Sequence, residues 1–411
     1  MTVAREWVDL YEDLHEHPEL SFQEERTARI VADKLAAFGY EVTTGVGRTG
    51  VVGLLRNGDG PLVLMRADMD ALPVEENTGL SYASTRRGTD PDGHDVGVAH
   101  ACGHDVHVTC LLAACEELAA ATYTWGGTLM AVFQPAEELG LGAKAMMADG
   151  LYERFGTPVV VLGQHVTPLP AGTIGVHTGP PYAAMDGLRI VLHGRGGHAS
   201  MPDATVDPVV MAASTVMRLQ TVVSREVSAS DFAVVTVGKL AAGTKSNIIP
   251  NFAELLVNVR TYKHSVRTKV IDAIGRIARA EAAASGATVD PDVEHVESLE
   301  AVVNDQDAVE RTRAALGSAG MVIDPGAVPG SEDVGWFATT AGVPCVYWAL
   351  GGADPALFEG LTTVDEFMTV VAALPGNHSP QYAPVIEPTL SVGTAALAGA
   401  AREWLDGKRP R

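Results

Sequence analysis

The residues 100–107 read HACGHDVH, placing three histidines, one cysteine and one aspartate within eight positions. Thiolate and imidazole both suit zinc, and a histidine-rich site also suits manganese or cobalt, so Cys102 and His104 are candidate metal ligands. A C-x-H pair alone reads equally as a buried cysteine beside a histidine at a helix start. No second Cys/His pair stands at zinc-finger spacing. Further ligand types follow apolar runs: Glu137 and Glu138 end AVFQPAEE, His165 ends VVVLGQH, and His378 stands in PGNHSP. Each alone reads as a solvated loop residue. A carboxylate or imidazole finishing an apolar strand nevertheless costs free energy unless it is paired or coordinated, and several on one sheet point to a metal centre. Adjacent glutamates allow a division of labour: one binds metal while its neighbour takes a proton from water. The competing reading is an acidic helix N-terminus favoured by the dipole. Asp68 and Asp70 end the strand in RADMDALP. Asp70 is expected to accept from a ligand histidine and hold its tautomer, and the role of Asp68 stays open.

The elements that must position these groups alternate between strand and helix in the first half of the chain. Residues 3–38 show helical periodicity broken at HPELS. LVLMRADMDAL (62–72) is expected to start as a buried strand and lead into acidic residues, GTLMAVFQPAEE (127–138) to be a strand running into a loop, and 159–166 to be an apolar strand, with helices over 105–118 and 142–155. That order predicts an α/β fold with a mostly parallel sheet, whose ligands sit at the carboxyl ends of strands. From residue 188 the order becomes β-α-β-β-α-β, with strands near 188–192, 232–240, 252–260 and 287–296 and helices over 207–224 and 264–284. This predicts an inserted ferredoxin-like α+β domain. The first style resumes with VPCVYWAL and a helix over 389–404. The expected division is a metal-binding domain from 1–184 plus 300–411 and an inserted domain over 185–299. Two Gly/Pro/Asp-rich stretches, 86–97 and 351–363, read as surface loops.

A chain of 411 residues with 46% hydrophobic and 19% charged residues has the composition of a folded protein, and its length predicts two domains. The formal charge, 29 basic against 51 acidic residues, is −22, which makes nucleic acid and anionic membranes poor partners. The N-terminus lacks the signature of a signal peptide, and no apolar run reaches the length of a membrane span. Four cysteines in a chain this long do not form a disulfide framework. Cys110 and Cys115 fall in an apolar helical run as core residues, and a cytoplasmic protein with reduced thiols is expected.

The stretches LHEHPELSFQE, RADMDALPVEENTGL, HACGHDVH, FQPAEE, GQHV, GRGGHAS, SNIIP, GSEDVGWFA and GNHSP run in order over residues 14–380. Together they resemble the metal-dependent aminoacylase/carboxypeptidase family, in its branch of hippurate hydrolases, auxin-conjugate hydrolases and N-acyl-amino-acid amidohydrolases. The segments before His100 and before His378 are longer than the family's. The resemblance implies two divalent metal ions, zinc or manganese with cobalt or nickel as alternatives. Cys102 would bridge them, with His104 and His165 on one ion and Glu138 and His378 on the other. Glu137 would be the general base and then the proton donor. It further implies that the inserted domain is a lid and dimerisation unit, that His198 stabilises the oxyanion, and that Asn247 and Arg260 hold a substrate carboxylate. From the residues alone, Arg260 reads as a solvated strand-end residue. The implied reaction is hydrolysis of a small N-acyl amino acid by a homodimeric enzyme. The alternatives are a metallo-dipeptidase or carboxypeptidase, an enzyme using Cys102 as nucleophile, and a non-catalytic metal-dependent binder. His100 and His107 lie outside the implied ligand set. His15, His17, His94, His177, His193, His264 and His295 match no functional motif.

Overall fold

The computed structural model describes residues 2–405. The chain divides into two compact units. One runs from the N-terminus to Pro181 and takes up Val303–Gly326 and the chain from Asp333 onward. The other comprises Tyr182–Val302 and Ala327–Glu332.

The first unit is built on a mixed sheet whose centre is parallel. Leu62–Asp68 lies between Gly127–Gln134 and Val160–Pro170, and Cys345–Ala353 pairs with the far side of Val160–Pro170, all in parallel. Gly50–Asn57 and Glu41–Val46 extend one side as antiparallel strands. Every residue of Val63–Asp68 is buried, as expected for a strand covered on both faces. The connecting helix His104–Ala120 has almost no polar face. Residues 104–115 are all buried, and the helix packs against Thr389–Leu405 in the core. Parallel register then aligns the carboxyl ends: Asp68 pairs with Gln134, and Ala349 with His165.

The second unit is a four-stranded antiparallel sheet in the order Ala233–Ala242, Phe252–Thr261, Ala184–His193, Asp292–Leu299. Its helices Pro208–Thr221 and His264–Ala284 pack on the sheet around Leu188, Ile190, Leu255, Val257 and Ile274. The strand order is that of a ferredoxin-like layer.

Both stretches that read as surface loops contain regular structure. Residues 86–97 form a hairpin, Arg87–Thr89 against Asp95–Gly97, whose tip turns around the Asp90 carboxylate accepting from the N–H groups of Asp92 and His94. The stretch after Ala353 carries a helical turn, Pro355–Phe358, and the helix Val364–Ala373, which opens on a capping box between Thr363 and Glu366. The helical run expected over 142–155 is two helices, Gly142–Ala148 and Leu151–Phe155, broken where Gly150 takes φ +79°.

Candidate metal centre

Cys102, His104 and His165 bring one ligand atom each into a single cluster, and Cys102, Glu138 and His378 form another, so Cys102 belongs to both. The Cys102 Sγ lies 3.4 Å from His165 Nε2, and His378 Nε2 lies 3.3 Å from Glu138 Oε2. His104 is fully buried, with Nε2 3.7 Å from both Asp68 Oδ2 and Glu138 Oε1 and Nδ1 3.4 Å from Asp70 Oδ1. Local structure explains the convergence. Gly103, at φ +79°, turns the chain between the two ligands into the helix, and a Cβ there would meet Val166 Cγ1 at 2.3 Å. His378 is not at a strand end. It stands in an irregular segment at φ +72°, where its N–H donates to Ala101 O, and the Asn377 amide donates to Cys102 O and Val166 O. Asn377 thus fastens the His378 segment to the turn that carries Cys102 and to the strand that carries His165, which does not end there but runs on to Pro170.

The residues fit a divalent cation. Neither ring nitrogen of His104 makes a hydrogen bond, nor does the buried Glu138 Oε1. Orphaned polar atoms of this kind are costly without a partner. Burial raises the Glu138 carboxyl to about 7, and burial together with Glu138 pushes the Cys102 thiol well above its usual range. A cation is the partner that would hold both in their ionised forms. The His165 Nδ1–H donates to its neighbour's carbonyl, Val166 O at 2.8 Å, which leaves Nε2 turned toward Cys102. The nucleophile reading of Cys102 gains a facing imidazole in His165. The raised thiol pKa argues against it, since the thiolate is the reactive form.

Asp68 and His107 have structural partners. The buried Asp68 accepts from Arg66 Nη1 at 2.7 Å and from His107 Nδ1–H, and His107 Nε2 accepts the N–H of Val166 at 2.8 Å. His107 therefore spends both nitrogens inside the protein, tying the strand of Asp68 to the strand of His165. Burial would raise the Asp68 pKa, but Arg66, His104 and His107 outweigh it and hold the carboxyl well below its usual range. Arg66 is wholly buried and also donates to Gln134 Oε1 and Asp333 Oδ1. Asp70 accepts from Ser21 Oγ and from the N–H groups of Glu137 and Glu138, as well as facing His104.

His15 is the residue that motif reading missed most clearly. Its Nδ1 lies 2.6 Å from Asp105 Oδ2 and its Nε2 3.0 Å from Glu76 Oε1. Burial opposes the charged ring, but the two carboxylates outweigh it and raise the pKa to about 10, so His15 is an imidazolium under the start of the His104 helix. His100 is buried with neither nitrogen hydrogen-bonded; burial lowers its pKa to about 4, and the ring is neutral. A histidine three residues before a Pro-Glu pair was the only local signal for His15, and it carries no information about partners 61 and 90 positions away.

The second unit holds the other predicted residues. His198 and Asn247 come together on a two-stranded ribbon, Gly197–His198 against Ile248–Ile249, where Ala199 N–H donates to Asn247 O. Both are exposed, and His198 Nδ1 is engaged by Ser200. Arg260 is half-buried near the end of Phe252–Thr261 and donates to Asn258 Oδ1 at 2.9 Å and Ser331 Oγ at 2.7 Å. It is thus tethered within its unit rather than simply solvated.

Residues 64–377 match the model of peptidase family M20/M25/M40. The chain is 34% identical to the N-acetylcysteine deacetylase of Bacillus subtilis, over 89% of this chain and 93% of that protein. It is 37% identical to the hippurate hydrolase of Campylobacter jejuni, over 81% and 85%. A crystal structure described as a dinuclear metal-binding peptidase of the M20 family, from Bacillus subtilis, superposes with a TM-score of 0.79 at 29% identity, covering 98% of each chain. With a mostly parallel α/β sheet and with Cys, His and Glu side chains gathered beside it from a turn, a helix start, a strand and two loops, the chain belongs to peptidase family M20/M25/M40.

Proposed function

We propose that this protein hydrolyses the amide bond of small N-acyl amino acids at a two-metal centre, releasing the free amino acid. The observation that carries the reading is the pair of ligand clusters sharing Cys102, with Glu137 directly preceding the ligand Glu138 in a loop held by Asp70. Cys102, His104 and His165 would hold one cation and Cys102, Glu138 and His378 the other, zinc or manganese by donor type, with cobalt or nickel also suited. Bound there, the ions supply Lewis acidity, giving a nucleophile at neutral pH and polarising the scissile carbonyl. Glu137 accepts the proton of the attacking water at its carboxylate and returns it to the departing amine nitrogen. Its N–H is committed to Asp70, so the backbone is held while the carboxylate does this work. The GRGGHAS motif supports His198 as the group that hydrogen-bonds the developing oxyanion. The SNIIP and NVRTY motifs support Asn247 and Arg260 as the clamp on the substrate carboxylate, a role suited to a guanidinium fork. The second unit would act as a lid and as the contact of a homodimer, which light scattering tests. A cytoplasmic site of action is consistent with four buried cysteines, none of them in a disulfide.

The testing experiment is release of free amino acid from a panel of N-acyl amino acids and dipeptides, with manganese or zinc added and again with a chelator. Chelator-sensitive release is expected. No release with any metal, alongside substrate binding, would move the protein to the class of metal-dependent binders. Release that survives chelation would restore Cys102 as a nucleophile.

A further inference from the structure

The loop that carries Glu137 and Glu138 is not held by Asp70 alone. Three successive backbone N–H groups, those of Ala136, Glu137 and Glu138, point at two buried carboxylates. Glu137 and Glu138 donate to Asp70, each at 3.1 Å, and Ala136 donates to Glu24 Oε1 at 2.9 Å. Glu24 is fully buried, and it also accepts from Phe22 N–H at 2.9 Å on Oε1 and from the Thr49 hydroxyl on Oε2. It is also the residue from which the helix Glu25–Ala37 starts, so the carboxylate is anchored at the root of a regular element.

Ala136 explains why such an anchor is needed. Its φ is +48°, in the left-handed region that a residue with a Cβ rarely adopts. That conformation lets the three N–H groups converge and throws the side chains of the next two residues toward the cluster. It persists only where the surroundings over-determine it. Glu24 supplies that restraint at the strained residue itself, one position before Glu137.

We infer that Glu24 is a positioning residue for the reaction, which fixes the strained Ala136 peptide and through it aims Glu137 and Glu138. It belongs to neither of the two candidate ligand clusters that share Cys102. The inference rests on the amidohydrolase reading for its kinetic readout and not for its metal-binding readout.

Glu24→Gln and Glu24→Ala separate this role from others. In Glu24→Gln the amide oxygen still accepts from Ala136 and Phe22, while the NH2 group can donate to the Thr49 hydroxyl. In Glu24→Ala the Ala136 N–H loses its partner and the peptide is free to leave φ +48°. Expected for Glu24→Ala is a kcat about 10–100-fold lower with KM little changed, together with a manganese affinity about 10–100-fold weaker by calorimetry on the metal-free protein. Glu24→Gln is expected within about 3-fold of wild type in both, on the same principle that the outer partner acts through the hydrogen bond it accepts. A role confined to stability would lower the unfolding midpoint of Glu24→Ala while leaving kcat per metal-loaded site and manganese affinity unchanged, and that result would overturn the inference. So would a Glu24→Gln variant as impaired as Glu24→Ala, which would mean that charge rather than acceptance matters. Should Glu24→Ala fail to fold, Thr49→Val carries the test: it frees Oε2 without touching the loop, several-fold weaker manganese binding is expected, and unchanged binding would overturn the inference. A protein that hydrolyses nothing in the panel yet shows the calorimetric pattern would keep this inference while the reaction reading falls.

Discussion

His107 separates two readings of the same cluster, because Asp68, His104 and His107 also lie close enough to form a three-ligand group. The hydrogen bonds assign it a structural role, with Nδ1–H on Asp68 and Nε2 under Val166 N–H. His107→Phe removes both bonds at a position that is 1% exposed. The Val166 N–H would be left buried and unpaired, at about 1–3 kcal/mol, and Asp68 would lose a charge-assisted bond of about 1.5–3 kcal/mol. Arg66 still holds Asp68 at 2.7 Å, so the lower half of that range applies. A loss of about 3 kcal/mol is a large fraction of the roughly 5–15 kcal/mol that stabilises a domain. The assay is urea denaturation of the metal-free protein at neutral pH, followed by circular dichroism, with metal stoichiometry measured separately. The expected result is a marked loss of stability with both metal equivalents retained on saturation. Unchanged stability with one equivalent lost would show that His107 is a ligand and refute the reasoning.

Other substitutions address the chemistry. Glu137→Gln keeps the backbone bond to Asp70 and is expected to lower kcat by about 10²–10⁴-fold, the range for a lost general base, with metal content unchanged by elemental analysis. Arg260→Ala is expected to raise KM for N-acyl amino acids by about 10–100-fold, the equivalent of one lost charge-assisted pair, and to leave hydrolysis of the matching amide without a carboxylate unaffected in steady-state assays. His15 makes a pH prediction. Its folded pKa, about 10, lies above the unfolded value near 6.5, so the stability it contributes is fully present below about pH 6.5 and is lost as pH rises toward 10. Urea midpoints of the metal-free protein are expected to fall across that window, and His15→Gln is expected to flatten the slope.

Much of the site was legible because its residues break a local rule. Glu137 and Glu138 follow a largely buried apolar run and His165 stands within another, and polar groups there need a partner that the strand cannot provide. Cys102 and His104 flank a glycine whose positive φ brings both side chains of a C-G-H triplet into one candidate cluster. The Val364–Ala373 helix carries a sequence signal as well, the T-x-x-E of Thr363 to Glu366, which begins where the Gly/Pro/Asp-rich stretch 351–363 ends. His378 had no strand to mark it, and its position depends on Asn377 bonding to Cys102 and Val166 O, residues 275 and 211 positions away.

The sequence by itself determined the alternation of strands and helices, the inserted antiparallel layer and the donor types suited to a metal centre, since each is set by periodicity or by a polar group following an apolar run, while the expectation of two cations came from the family resemblance. Only the tertiary structure decided which polar residues gather in the candidate metal clusters and which are taken up by partners within the fold. Asp68 and His107 hold two strands together, His15 bridges Glu76 and Asp105, and Glu24 reaches across 112 positions to Ala136. A buried carboxylate or imidazole looks the same in sequence whether it meets a cation, an arginine or a backbone N–H. Its role is settled by the partner that folding brings to it, and such pairings carry no local periodicity.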